Sequence, residues 1–313
     1  MSDVLWALVS FIVFPGFLFT AVVGLFAGWI DRKITARLQW RVGPPWYQNF
    51  IDFFKLMGKE TIIPAGARKM TFLSAPLIGL IGVTLVSLIL WEMNLYPASS
   101  FLGDIIVVLY LSILPSLAII LGGSASRNPL ASLGASREMK LILAYELPFI
   151  VAVFTPVAII KDIKIGSIVS YQIKNGMMFT HHLSSIIALV VAFFCIQAKL
   201  GFVPFDIPEA EQEIMSGPLI EYSGPPLAIF KLTKAMMLFT LPVFLITVFA
   251  GGMRFDSGIQ ALFSIIKYLV ILLLIIIVKN TNARLRIDQA LGFFWLRMFP
   301  LAVVGFILAL FGI

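Results

Sequence analysis

Apolar runs long enough to cross a bilayer recur from one end of this chain to the other, and that repetition limits the fold more than any single motif does. A membrane-crossing helix needs about 20 mostly apolar residues, because a backbone in lipid must satisfy its own hydrogen bonds. Eight spans are read: Val4–Ile30, Phe72–Trp91, Ile105–Gly122, Glu138–Ile160, Leu183–Val203, Leu227–Phe249, Ala261–Val278 and Phe293–Gly312. The expected fold is an all-α integral membrane protein, one polytopic domain over residues 1–313. Charged residues are only 12% of the chain and mean hydropathy is +1.02, whereas a soluble domain carries roughly 25% charged residues.

An even number of spans puts both termini on one side. Sixteen of the 23 Lys and Arg fall in Asp31–Thr71, Arg127–Lys140, Lys199 and Lys279–Arg297, and only Lys161, Lys164, Lys174 and Arg254 fall in the opposite loops. Basic residues favour the cytoplasm, so both termini are expected outside the cell membrane. The formal net charge of +7 is thereby explained by topology, and no nucleic-acid partner is expected because the basic residues are not interleaved with aromatics. Cys195, the lone cysteine, allows neither an internal disulfide nor a cysteine ligand set. The N-terminal run outlasts a signal-peptide core and is read as a retained helix.

Within the first cytoplasmic loop, Tyr47–Glu60 spaces Phe50, Phe53, Phe54 and Met57 as an amphipathic helix does, suited to a membrane surface or to a partner subunit. A second cytoplasmic loop, Gly201–Tyr222 (GFVPFDIPEAEQEIMSGPLIEY), sets Asp206, Glu209, Glu211, Glu213 and Glu221 between apolar runs. Pro204, Pro208 and Pro218 interrupt helix there, leaving Glu209–Met215 as a short helical piece. Carboxylates beside apolar surroundings favour proton uptake or a cation; a plainly solvated acidic loop is the blander alternative.

Two further sets of charges fall inside spans. Glu138 and Glu146, eight residues apart, rise about 12 Å along one helix. Lys231 and Lys234, three apart, share a helical face and are placed to neutralise Glu146 or the loop acids; interfacial lysines with stems along lipid are the alternative. Asp31, Arg32, Lys33, Arg37 and Arg41 close the first span as a topological anchor or a docking surface. His181 and His182 are adjacent and diverge on a helix, which disfavours a metal site. No GxxxxGK[ST] loop, Cys/His ligand set or nucleophile elbow is present, so the chain is expected to be non-catalytic on its own.

Long stretches of these residues resemble a known family. DRKITARLQWRVGP (Asp31–Pro44), QNFIDFFKLMGKE (Gln48–Glu60), GASREMKLILAYELP (Gly134–Pro148), PFDIPEAEQEI (Pro204–Ile214) and EYSGPPLAIFK (Glu221–Lys231) are similar, in order, to the membrane subunit that joins the redox and membrane arms of respiratory complex I, called subunit 1 or the H subunit. Its counterparts in energy-converting membrane-bound [NiFe] hydrogenases are the nearer likeness, through SREMK and EYSGPPLAIFK. Asp31 stands where the quinone-using branch commonly has Glu, Pro225 and Pro226 replace a Met and a basic residue, and Lys231 and Lys234 replace an aromatic and a Glu.

The resemblance implies that the PFDIPEAEQEI loop faces a partner bearing the terminal iron–sulfur cluster, and that the loop acids with Glu138 and Glu146 open a proton route. It also implies hydrogenase-like large and small subunits, iron–sulfur proteins and antiporter-like membrane subunits as partners. Iron–sulfur clusters and a NiFe centre would sit in those partners, with no cofactor bound by this chain. The function expected is a membrane coupling subunit of a redox-driven ion pump. The alternatives are the same role in a sulfur-reducing complex, the quinone-binding H subunit of complex I, and a secondary transporter, although no broken helices in paired halves support the last.

Overall fold

The fold is organised around one helix that others enclose. A computed structural model describes residues 8–312, apart from the side chain of Glu211. Among them seven helices are long and apolar enough to cross a membrane: Leu8–Leu38, Lys69–Leu95, Asp104–Ala125, Pro129–Ile160, Gly224–Phe249, Gly258–Thr281 and Ile287–Leu310. The eighth expected span is a shorter apolar helix, Leu183–Lys199, about 26 Å long at 1.5 Å per residue. Residues 4–7 of the first expected span lie outside the described residues.

Regular elements are named α1 (Phe17–Leu38), α2 (Gln48–Met57), α3 (Lys69–Leu95), α4 (Asp104–Leu111), α5 (Leu114–Ala125), α6 (Pro129–Ile160), α7 (Ile165–Asn175), α8 (Leu183–Lys199), α9 (Gly224–Phe249), α10 (Gly258–Thr281), α11 (Ile287–Gly292) and α12 (Phe299–Leu310). Helix α9 is buried nearly throughout. It packs against α1, α3, α8 and α10, while α6, α8 and α12 pack together beside it. Its contact with α1 is close because Gly24 has no side chain: a Cβ there would stand 2.6 Å from the Ala235 carbonyl oxygen.

Three local features depart from the sequence expectation. Helix α6 begins nine residues earlier than its apolar run, because the Asn128 side chain accepts from the Leu130 N–H at 2.8 Å and Pro129 suits the first turn. Arg137, Glu138 and Lys140 therefore stand inside a continuous helix. The third span is two helices, parted just before Pro115, whose missing N–H cannot continue the ladder. Between α11 and α12 the backbone widens into π-helix over Phe293–Met298, which turns Phe294 against Tyr145 and Phe205 in the core.

The expected amphipathic helix is α2. Its apolar face divides: Phe50 and Phe53 pack against the core, while Phe54 and Met57 are exposed.

Candidate functional site

The acidic loop is not a solvated tether. Phe205, Ile207, Ala210 and Ile214 are buried, which draws the loop down onto the helix bundle. Gln197 Nε2 donates to the Val203 carbonyl at 2.9 Å, and the Leu285 N–H donates to the Pro204 carbonyl at 2.9 Å. Further along, Pro218 presses on α6 at Gly134, where a Cβ would come within 2.6 Å of its Cδ.

Each described acid of the loop then meets a partner outside the loop, on α6 or at its N-cap, on α9 or in the segment between α10 and α11. Asp206 accepts from Arg284 at 2.7 Å, Glu209 from Lys234 at 2.6 Å, Glu213 from Arg137 at 2.6 Å, and Glu221 from Asn128 Nδ2 at 2.5 Å. Burial pushes the Asp206 carboxyl above the usual carboxylate range despite Lys234 and Arg284 beside it. The hydrogen bond from Arg137 instead holds Glu213 below that range. The side chain of Glu211 lies outside the described residues.

A second tier lies deeper. A cavity of about 200 Å³ is lined by Ser116, Glu138, Lys199, Asp206, Glu209 and Lys234, among others. It brings loop acids and span charges to one wall. Glu138 is buried and faces Ser116, within the field of both Glu209 and Lys234. Beyond it Lys199 Nζ stands 3.2 Å from Glu146, donates to Ser112 Oγ at 2.9 Å and lies 4.6 Å over the ring of Phe149. Two isolated charges there would be costly, so the pair, the hydroxyl and the ring together carry the burial.

A larger cavity of about 460 Å³ opens between α1, α2 and α9, with Asp31, Arg32, Asp52, Lys231 and Lys234 on its wall. Lys231 and Lys234 line both cavities, as their shared helical face requires. Asp31 is buried and paired with Lys279 at 2.7 Å; Phe202 lies 4.5 Å under Lys279 Nζ and 5.7 Å under Lys234 Nζ. Arg32 bridges Asn49 and Asp52 at 2.9 Å each. Burial opposes it, yet hydrogen bonds from Arg32 and Gln48 hold Asp52 below the usual carboxylate range. Arg37 and Arg41 are exposed and Lys33 is half-buried, none of the three in an ion pair among the described residues.

The cation opposite Glu146 is Lys199, which the sequence alone places at a loop end. Lys279, Arg284 and Asn128 likewise escape sequence reading as partners of Asp31, Asp206 and Glu221. The available signal is the need for a counter-charge near each acid, and sequence alone does not pair them.

Fold and site together define a multi-pass helical membrane protein whose acidic loop is folded back among its spans and tied to them by cations. The chain belongs to the NADH dehydrogenase family, whose model matches residues 9–310. It is 31% identical to the H subunit of NADH-quinone oxidoreductase from Carboxydothermus hydrogenoformans over 100% of this chain and 91% of that protein, and 30% identical to the same-named subunit from a Geobacillus species over 88% and 85%. Among solved structures it is similar to a chain of the membrane-bound sulfane sulfur reductase, an archaeal respiratory membrane complex, with a TM-score of 0.83, 31% identity and coverage of 94% of this chain and 96% of that one. It is thus a membrane chain of the complex I type, like the H subunit, as its sequence motifs indicate.

Proposed function

We propose that this chain is the coupling subunit of a redox-driven ion pump, joining a cytoplasmic electron-transfer arm to the membrane arm and relaying protons between them. The observation that carries the reading is the continuity of charge: Asp206 and Glu209 at the loop, Lys234 and Glu138 on the inner cavity, Lys199 and Glu146 beyond it. A change of charge in a partner beside the loop acts on these groups through protein of low dielectric, where fields are screened less than in water. Glu211, Glu213, Glu221 and Lys231 complete the relay's outer end. Leu183–Lys199 serves as the eighth crossing, which with the distribution of basic residues puts both termini outside a cell membrane. Arg32, Lys33, Arg37 and Arg41, with Asp31 at their base, form the docking edge for the arm.

The arm is hydrogenase-like, with large and small subunits that hold iron–sulfur clusters and a NiFe centre, and antiporter-like subunits extend the membrane side. The likeness to the sulfane sulfur reductase chain favours a sulfur-reducing arm as the second reading. Cations on the larger cavity, Lys231 and Lys234 above all, are why a neutral quinone is not assigned there. Metal analysis of the copurified complex tests the hydrogenase arm: nickel with iron supports it, and iron without nickel overturns it and leaves the sulfur-reducing and quinone-reducing readings. The relay is tested by Glu146→Gln in the assembled complex reconstituted in liposomes, with electron transfer and ion transport measured separately. Electron transfer with transport lost supports it; undiminished transport removes Glu146 from the path.

A further inference from the structure

The larger cavity has two chemical halves. One is apolar, with Leu25, Phe53, Leu56, Phe202 and Leu238 on it. The other carries five cations, Arg32, Lys55, Lys59, Lys231 and Lys234, against two carboxylates, Asp31 and Asp52. Both carboxylates are engaged, Asp31 by Lys279 at 2.7 Å and Asp52 by Arg32 at 2.9 Å, and Lys234 is held by Glu209.

Lys55 and Lys59, both exposed, and Lys231 are left with no ion pair and no side-chain hydrogen bond among the described residues, although Lys231 also acts on Asp52 through space. Lys231 is the most informative of the three. Its neighbours Phe230 and Leu232 are buried in the central helix while Lys231 itself is exposed, and the space it meets is this cavity and the smaller one beside it. Unpaired ammonium groups gathered in a recess with apolar walls repel one another and concentrate anions. A neutral ligand would leave that repulsion in place.

We propose that this cavity binds an anionic, phosphate-bearing amphiphile, its head between Lys55, Lys59 and Lys231 and its apolar part along Leu25, Phe53 and Leu56. The volume lies within the roughly 300–1,000 Å³ of ordinary ligand sites, room for a phosphoglycerol head and the first part of its chains. Access from the bilayer follows from α2, an amphipathic helix with Phe54 and Met57 exposed, as on a helix lying in a membrane surface. A membrane phospholipid of net negative charge and a free phosphate ion share the head chemistry. The site shares Lys231 with the proposed relay, but its occupancy is read without electron transfer or transport, so its failure and the relay's failure are distinguishable.

The assembled complex is placed in nanodiscs of phosphatidylglycerol, of phosphatidylcholine, and of phosphatidylcholine with added inorganic phosphate. Lysines are acetylated and quantified by mass spectrometry, with exposed Lys69 as the reference for general surface effects. Selective severalfold slowing at Lys55, Lys59 and Lys231 in phosphatidylglycerol alone supports a lipid. Equal slowing by inorganic phosphate overturns the amphiphile in favour of a free phosphate ion, and equal rates in all three conditions overturn the site. A Lys55→Gln, Lys59→Gln, Lys231→Gln variant is expected to hold phosphatidylglycerol roughly a hundredfold more weakly in native mass spectrometry, about fivefold for each lysine. Unchanged retention overturns the site as well.

Discussion

Two ion pairs at opposite ends of the constellation differ in almost everything but charge. Arg32 and Asp52, at the mouth of the larger cavity, have side chains 51% and 40% exposed; Lys199 and Glu146, inside the bundle, have side chains 1% and 14% exposed. Water screens the first, so it contributes about 0–1 kcal/mol at most. The second has given up much of its hydration, and well-packed apolar side chains of similar volume would hold the helices together as well or better. What an apolar replacement cannot do is accept or release a proton. Under the proposed function, charges kept at that depth serve ion handling rather than stability, whereas the rim pair serves to fix α2 against α1.

The contrast breaks most visibly at Glu146. Glu146→Gln leaves Lys199 buried without its counter-charge, and the expected loss of stability is about 3–5 kcal/mol, read as faster thermal inactivation of the complex. Adding Lys199→Met should restore much of that stability without restoring transport; additive losses would show that the two side chains do not act as a pair. Glu209→Gln tests an intermediate case, since Lys234 and Glu209 are 33% and 25% exposed. Here the expected loss is smaller, about 1–2 kcal/mol, and a loss equal to that at Glu146 would erase the distinction between loop and interior.

At the rim, Arg137→Ala removes a pair whose Glu213 is 55% exposed. Stability should change little because water screens the pair, and high salt should abolish the difference from the unaltered protein. The finest contrast is in titration, by isotope-edited infrared spectroscopy. Asp206, raised by burial, should protonate above the ordinary carboxylate range; its stabilising contribution is present at low pH and lost as pH rises through the folded value. Glu213, lowered by Arg137, should show the reverse, with stability present above the ordinary range and lost as pH falls through the folded value. Identical titration of the two would contradict the burial assigned to the loop.

Sequence periodicity carried much of the fold, because a membrane span must be apolar along its length: seven expected spans meet helices long and apolar enough to cross, and the eighth meets a shorter apolar helix. It failed at ends and breaks. Helix α6 starts at Pro129 because Asn128 caps it, a local hydrogen bond that hydropathy does not register. For the site, the acids themselves were legible as charges in apolar surroundings, and the three-residue spacing of Lys231 and Lys234 placed both on the wall shared by the cavities. Lys199 was not legible, since a lysine closing an apolar run reads as a topological signal whether it points to water or, as here, back to Glu146. Only packing of α8 against α6 distinguishes the two.

The central claim is that the redox state of a partner alters protonation along Glu209, Glu138 and Glu146. Redox-induced infrared difference spectroscopy of the assembled complex addresses it directly, comparing the unaltered protein with Glu209→Gln, Glu138→Gln and Glu146→Gln. A carboxyl band that appears on reduction and is lost or shifted in these variants is the expected result. A difference spectrum without any carboxyl change, or one identical in all four proteins, would contradict it.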